Sequence, residues 1–105
     1  MKTDNQLHFE AIVQTFPDAE LGKMFGKQCG KIGKKAFVAF FQDEMVFRIG
    51  REEVAALVEK YPGAQNWDPS GKGRPMKDWL QVPGIYRADW EKLAGRSVGF
   101  LDQVK

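Results

Sequence analysis

At 105 residues the chain is long enough for one hydrophobic core and too short for two ordinary domains. Apolar residues make up 43% of it, with eight Phe and three Trp, and the 29% charged content is ordinary, which argues against intrinsic disorder. Sixteen Lys and Arg against fourteen Asp and Glu leave a net charge of +2, far from the balance of a dedicated nucleic-acid binder, so affinity for an anionic partner would have to come from local clustering.

Cys29 is the only cysteine, which rules out an intrachain disulfide and fits a reducing compartment. The opening residues Met1 to Gln6 lack the apolar stretch of a secretory signal. The longest apolar run, Ala36 to Phe41, is too short for a membrane span. The expected setting is the cytoplasm, with no membrane partner.

The first periodic segment is Asp4 to Phe16, where Phe9, Ile12, Val13 and Phe16 form one helical stripe. Thr3 and Gln6 have the spacing of a capping box, and Pro17 stops the helix. The pattern then predicts a strand over Lys23 to Cys29, a turn at Gly30 to Gly33, and a strand over Lys35 to Phe41 that is apolar enough to be covered on both faces. After a tight connection at Gln42-Asp43-Glu44, Met45, Phe47 and Ile49 alternate with Val46 and Arg48, as in a strand with one wetter face.

A second helix is expected from about Arg51, with Val54, Leu57, Val58 and Tyr61 on its stripe and Pro62-Gly63 at its end. Two shorter extended segments follow, Ala64 to Trp67 and Met76 to Val82, separated by a loop over Asp68 to Pro75. A third helix is expected over Ala88 to Val104, with Trp90, Leu93, Ala94, Val98, Leu101 and Val104 on one side. The order α-βββ-α-ββ-α predicts an α+β domain of two layers, an antiparallel five-stranded sheet packed by helices.

Lys23-Met24-Phe25-Gly26 in the first strand and Met76-Lys77-Asp78-Trp79 in the last, with Trp67 to Gly71 and Gly73 to Pro75 between the last two strands, resemble the TfoX N-terminal domain. The variant looks like that of its stand-alone members, some close to the YjbR/MmcQ group. The resemblance covers roughly Leu21 to Leu101. It implies one antiparallel sheet with helices against it, no catalytic residues and a regulatory role linked to transcription or competence. The chain departs from the family pattern at Lys27, Gln28 and Cys29, which replace the usual glycine and aromatic, and the second, C-terminal domain of the full-length regulators is expected to be absent.

Lys23, Lys27, Lys31, Lys34 and Lys35 crowd a segment with no acid, so they are either a basic hairpin that contacts phosphates or a solvated edge protected from aggregation. Lys72, Arg74 and Lys77 add a second cationic group. Gly71-Lys72-Gly73-Arg74 lacks the Ser or Thr and the following helix of a Walker loop, so it reads as a flexible turn or a simple anion patch. Trp67, Trp79 and Tyr86 are candidates for a ligand groove, with core packing the competing account. Gly95 and Gly99, four apart on the third helix, suggest close backbone approach, either to the sheet or to a second copy. Cys29 and His8 have no partners that would make a nucleophile and base, and no metal set can be assembled. The expectation is a non-catalytic binding module without a cofactor. Its partner is a protein, a second copy or a small ligand, with nucleic acid the alternative.

Overall fold

The computed structural model describes residues 1–103, so Val104 lies outside the described residues. The elements run α1 (Asp4–Gln14), β1 (Ala19–Met24), β2 (Lys27–Ile32), β3 (Lys35–Phe41), β4 (Glu44–Arg48), α2 (Arg51–Leu57), β5 (Gln65–Trp67), β6 (Met76–Val82) and α3 (Trp90–Gln103), with a 3-10 turn at Gly84–Asp89 leading into α3. The class is α+β, as the pattern predicts. The sheet has six antiparallel strands rather than five, in the order β1-β2-β3-β4-β6-β5.

The extra strand arises where the sequence suggests one strand over Lys23 to Cys29. Met24 pairs with Lys27, and the two residues between them reverse the chain with φ of 55° at Phe25 and 73° at Gly26. Positive φ at both central positions matches the right-handed strand twist, the usual solution for a two-residue hairpin. Glycine takes this conformation freely, whereas a residue carrying a β-carbon gives up about 1–2 kcal/mol. The segment Gly30 to Ile32, expected as a turn, is therefore the second half of β2, and the reversal falls at Gly33-Lys34. Gln42-Asp43 makes a third two-residue reversal, so β1 to β4 form a continuous meander.

Phe9, Ile12 and Val13 of α1 and Leu93, Ala94 and Leu101 of α3 bury the stripes read from the sequence against Phe37, Met45, Phe47, Leu80 and Val82 of the sheet. A β-carbon on Gly30 would lie 2.9 Å from both Val13 Cγ2 and Val38 Cγ2, so glycine at this position lets α1 settle onto β2. Thr3 caps α1 by accepting from Gln6 N. The return bond of the capping box is replaced, because the Gln6 amide donates to Gln28 Oε1 on β2. Gly95 and Gly99 are exposed, and a β-carbon on either would meet no atom within 4 Å. Close approach to the sheet is thus not their role.

The second face of the sheet carries its own apolar cluster of Cys29, Ala39, Val46, Trp67 and Trp79. Across the strands, Cys29 stands opposite Ala39, Ala39 opposite Val46, and Val46 opposite Gln81. Cys29, Ala39 and Val46 are short side chains at the centre of this face, which leaves room for the sheet to curl. Phe25 and Trp67 come from opposite ends of the strand order, where a flat sheet would separate them by about 20 Å. Their ring centroids are 6.3 Å apart. The sheet is therefore rolled into an open half-barrel, with helices on the convex side.

Candidate functional site

The roll creates a cleft of about 690 Å³ on the concave side. Its floor is Met24, Ala36, Met76 and Trp79, with Phe25 at one end. Five cationic residues surround it: Lys34 and Lys35 from the β2–β3 reversal, Arg48 from the end of β4, Arg51 from the start of α2, and Lys77 from β6. Asp78 is the one acid among the described lining residues.

Pairing of β4 with β6 explains this grouping, since it sets Arg48 directly opposite Trp79. Gly50 makes the sharp exit from β4 at φ 89°, with its α-carbon packed so closely on Phe100 that a β-carbon would lie 2.6 Å from the ring. That turn holds Arg51 at the cleft mouth. Among the described residues, no ion pair neutralises Lys34, Arg48, Arg51 or Lys77. The Arg48 guanidinium lies 5.4 Å from the Phe100 ring centroid, a cation–π contact.

Two cationic candidates from the sequence, Lys34 and Lys77, share the cleft with Trp79. Lys35 borders it but stands opposite Ile32, which packs with the helix-side core. The others are dispersed. Lys23 stands opposite Gln28, whose side chain reaches Glu10 of α1, and so belongs to the helix side of the sheet. Lys27 and Lys31 are on the concave side, but the Lys27 ammonium rests 5.3 Å above the Phe41 ring and the Lys31 stem covers Gly22. Lys72 and Arg74 are exposed on the loop between β5 and β6.

That loop is built around an internal anion rather than left flexible. The Asp68 carboxylate accepts from the Ser70 hydroxyl at 2.7 Å and from the amides of Gly71, Gly73 and Arg74 at 3.1, 2.8 and 3.1 Å. The Ser70 hydroxyl, followed by the amides of Arg74, Gly73 and Gly71, holds the carboxyl below its ordinary range. Amides that might cradle a phosphate are already occupied.

The proposed aromatic groove of Trp67, Trp79 and Tyr86 does not form. Trp67 is fully buried against Phe41 and Trp79, with centroid distances of 5.9 and 5.2 Å. Tyr86 packs on Tyr61 at 5.1 Å and donates to Pro62 O at 2.8 Å. Only Trp79 of the three reaches the cleft. Arg48, Arg51, Met24 and Met76 are lining residues that sequence reasoning passed over. Arg48 carried a signal, since it sits on the wetter parity of its strand.

The remaining reactive groups are occupied elsewhere. Cys29 is buried, and burial pushes its thiol above the ordinary value, with partial offset from Lys31. His8 stacks on Trp90 at 5.8 Å, with Nε2 3.0 Å from Arg87 O, and is half-buried rather than exposed as its place off the stripe suggests. No cluster of three or more His, Cys, Asp or Glu suited to a metal ion occurs among the described residues, and no helix among them is long and apolar enough to cross a membrane. No family model, curated protein or solved structure matches the chain.

Proposed function

We propose that the chain is a non-catalytic binding module whose concave cleft takes an anionic ligand with a flat or apolar body. The observation that carries this reading is the gathering of Lys34, Arg48, Arg51 and Lys77 around an apolar floor with Asp78 as the one described lining acid. A volume of about 690 Å³ falls in the range of small-ligand sites. Apolar burial supplies affinity for the body, and the cations orient the charged end and speed its capture. The resemblance to TfoX N-terminal domains adds a regulatory setting, in which ligand binding serves transcription or competence control.

Titration with 1-anilinonaphthalene-8-sulfonate, set against the uncharged N-phenyl-1-naphthylamine, tests this directly. The sulfonate should bind more tightly, lose affinity with rising salt, and weaken about tenfold or more in a Lys77→Glu, Arg51→Glu double variant whose near-ultraviolet circular dichroism is unchanged. Equal, salt-independent binding of both dyes would remove the case for an anion site.

A nucleic-acid reading has one specific support, which is that Lys27 and Lys31 lie on the same concave side as the cleft that Lys34 lines. On that reading a labelled single-stranded oligonucleotide displaces the dye with steep salt dependence, and Lys27→Glu with Lys31→Glu abolishes the displacement. Displacement that survives both changes would assign those lysines to solubility.

A further inference from the structure

Trp67 Nε1 is buried and has no hydrogen-bond partner. An indole N–H normally finds an acceptor when it is removed from water, because leaving it unpaired costs stability. The side chains packed around Trp67 are apolar: Phe25, Phe41, Trp79 and the nearby methionines Met24 and Met76. All of these except Phe25 are buried or half-buried on strands. Phe25 is 63% exposed, sits on a two-residue reversal at positive φ, and is flanked by Gly26, around which a β-carbon would meet nothing within 4 Å. Phe25 also closes one end of the cationic cleft.

A bulky aromatic in a conformation favouring glycine, largely in solvent yet packed against a tryptophan whose indole N–H is unpaired, is poorly explained as core packing. Core packing would bury the ring, and a turn built for stability alone would place Asn or Gly there. Trp90 supplies the contrast. Its Nε1 is also buried without a partner, but the ring stacked on it, His8, is half-buried and tied to Arg87 O rather than largely exposed.

We infer that Phe25 is a displaceable plug over a second subsite of the cleft, in which Trp67 Nε1 donates a hydrogen bond to a carbonyl-type acceptor on the ligand. This rests on the cleft being a ligand site and narrows the ligand class. The ligand carries an anionic group for the Arg48, Arg51 and Lys77 side, an apolar or aromatic body for Met76 and Trp79, and a neutral acceptor at the opposite end. Entry swings Phe25 outward about the Phe25-Gly26 reversal, the ligand body replaces the ring, and the indole N–H gains its acceptor.

The test uses 6-acetyl-2-naphthoate and 6-isopropyl-2-naphthoate, which differ in replacing one carbonyl oxygen by a methyl group. The three indole N–H resonances of the ¹⁵N-labelled chain are followed during titration, with Trp79→Phe and Trp90→Phe identifying the Trp67 signal by elimination. The acetyl compound should shift the Trp67 proton downfield and bind about tenfold more tightly than the isopropyl compound, the scale of one hydrogen bond gained by an otherwise unpaired donor. Phe25→Ala should raise affinity for the acetyl compound about fivefold, since no ring must first be displaced. Equal binding of the two naphthoates, with the Trp79 signal moving and the Trp67 signal still, overturns the plug and leaves the anion cleft standing. Failure of both naphthoates to displace the anilinonaphthalene dye also overturns the plug, and equal, salt-independent binding of the charged and uncharged dyes overturns the anion cleft with it.

Discussion

The carboxylate of Asp68 accepts from the amide of Gly73, five residues downstream, at 2.8 Å, and the same carboxylate holds the Ser70 hydroxyl and the amides of Gly71 and Arg74. Gly71 and Gly73 adopt φ of 69° and 77°, the conformations that turn their N–H groups inward toward it. A concavity of backbone amides is a common anion site, and here the chain supplies its own anion. The loop carrying Lys72 and Arg74 is thereby ordered, and it delivers Pro75 and Met76 to the lining of the cleft.

Because these bonds favour the charged carboxylate, its pKa is depressed below the ordinary 3.8. The sign of the pH effect follows: the ordering is fully present above that value and is lost as pH falls through the lower, folded value. Amide hydrogen exchange at Gly71, Gly73 and Arg74 should therefore be slow relative to exposed-loop amides at neutral pH. Asp68→Asn should remove that protection at every pH, since the amide side chain keeps only one acceptor oxygen and aims a donor at the others. Protection unchanged in the variant would show that other contacts hold the loop.

Gly30 offers a test of how α1 is seated. An added methyl would sit 2.9 Å from Val13 Cγ2 and Val38 Cγ2, both on buried side chains that cannot swing into solvent. Gly30→Ala should cost about 1–3 kcal/mol by overpacking. Urea denaturation should show a lower midpoint with an unchanged slope. Stability equal to the parent would mean that α1 shifts outward freely.

Some of this was legible in the sequence, for identifiable reasons. β6 could be read with its ends, because Met76 to Val82 is bounded by Pro75 and Pro83. β3 could be read as covered on both faces, and it buries Phe37 toward the helices and Ala39 toward the concave side. The β1–β2 reversal was hidden because its central pair is Phe-Gly rather than Asn-Gly. Only Gly26 hinted at an irregularity, and a turn placed at Gly30 joined the end of β1 and the start of β2 into one strand. The cleft was half legible: Lys34, Lys35, Lys77 and Trp79 are conspicuous, whereas Arg48 and Arg51 join them only through the long-range register of β4 on β6. No local pattern carries that register.

Tyr61, just beyond α2, is buried and donates to Asp89 Oδ2 at 2.9 Å, tying that corner to the entry of α3. Burial, reinforced by the bond to Asp89 and by its charge, raises the phenol above its ordinary 10.0. A raised acid binds its proton more tightly when folded, so this contribution is fully present below pH 10.0 and is lost as pH rises through the folded value. Tyr61→Phe should cost about 1 kcal/mol at neutral pH and flatten the alkaline limb of the stability profile. An alkaline limb identical to the parent would place its origin in another group.

Gly95 and Gly99 are exposed on α3, and neither would bring a β-carbon within 4 Å of another atom of the described chain. Within one copy of the chain their only effect is the weak helix propensity of glycine. Gly95→Ala and Gly99→Ala should then each raise stability by about 1 kcal/mol, read as a higher urea midpoint. A sharper use of these residues is close approach of two α3 helices from separate copies, since small residues four apart let backbones meet. In that case alanine should shift the sedimentation profile toward monomer, and stability should become dependent on protein concentration in the parent but not in the double variant. A stabilised double variant with an unchanged sedimentation profile assigns the two glycines to solvent and leaves any self-association to a different surface.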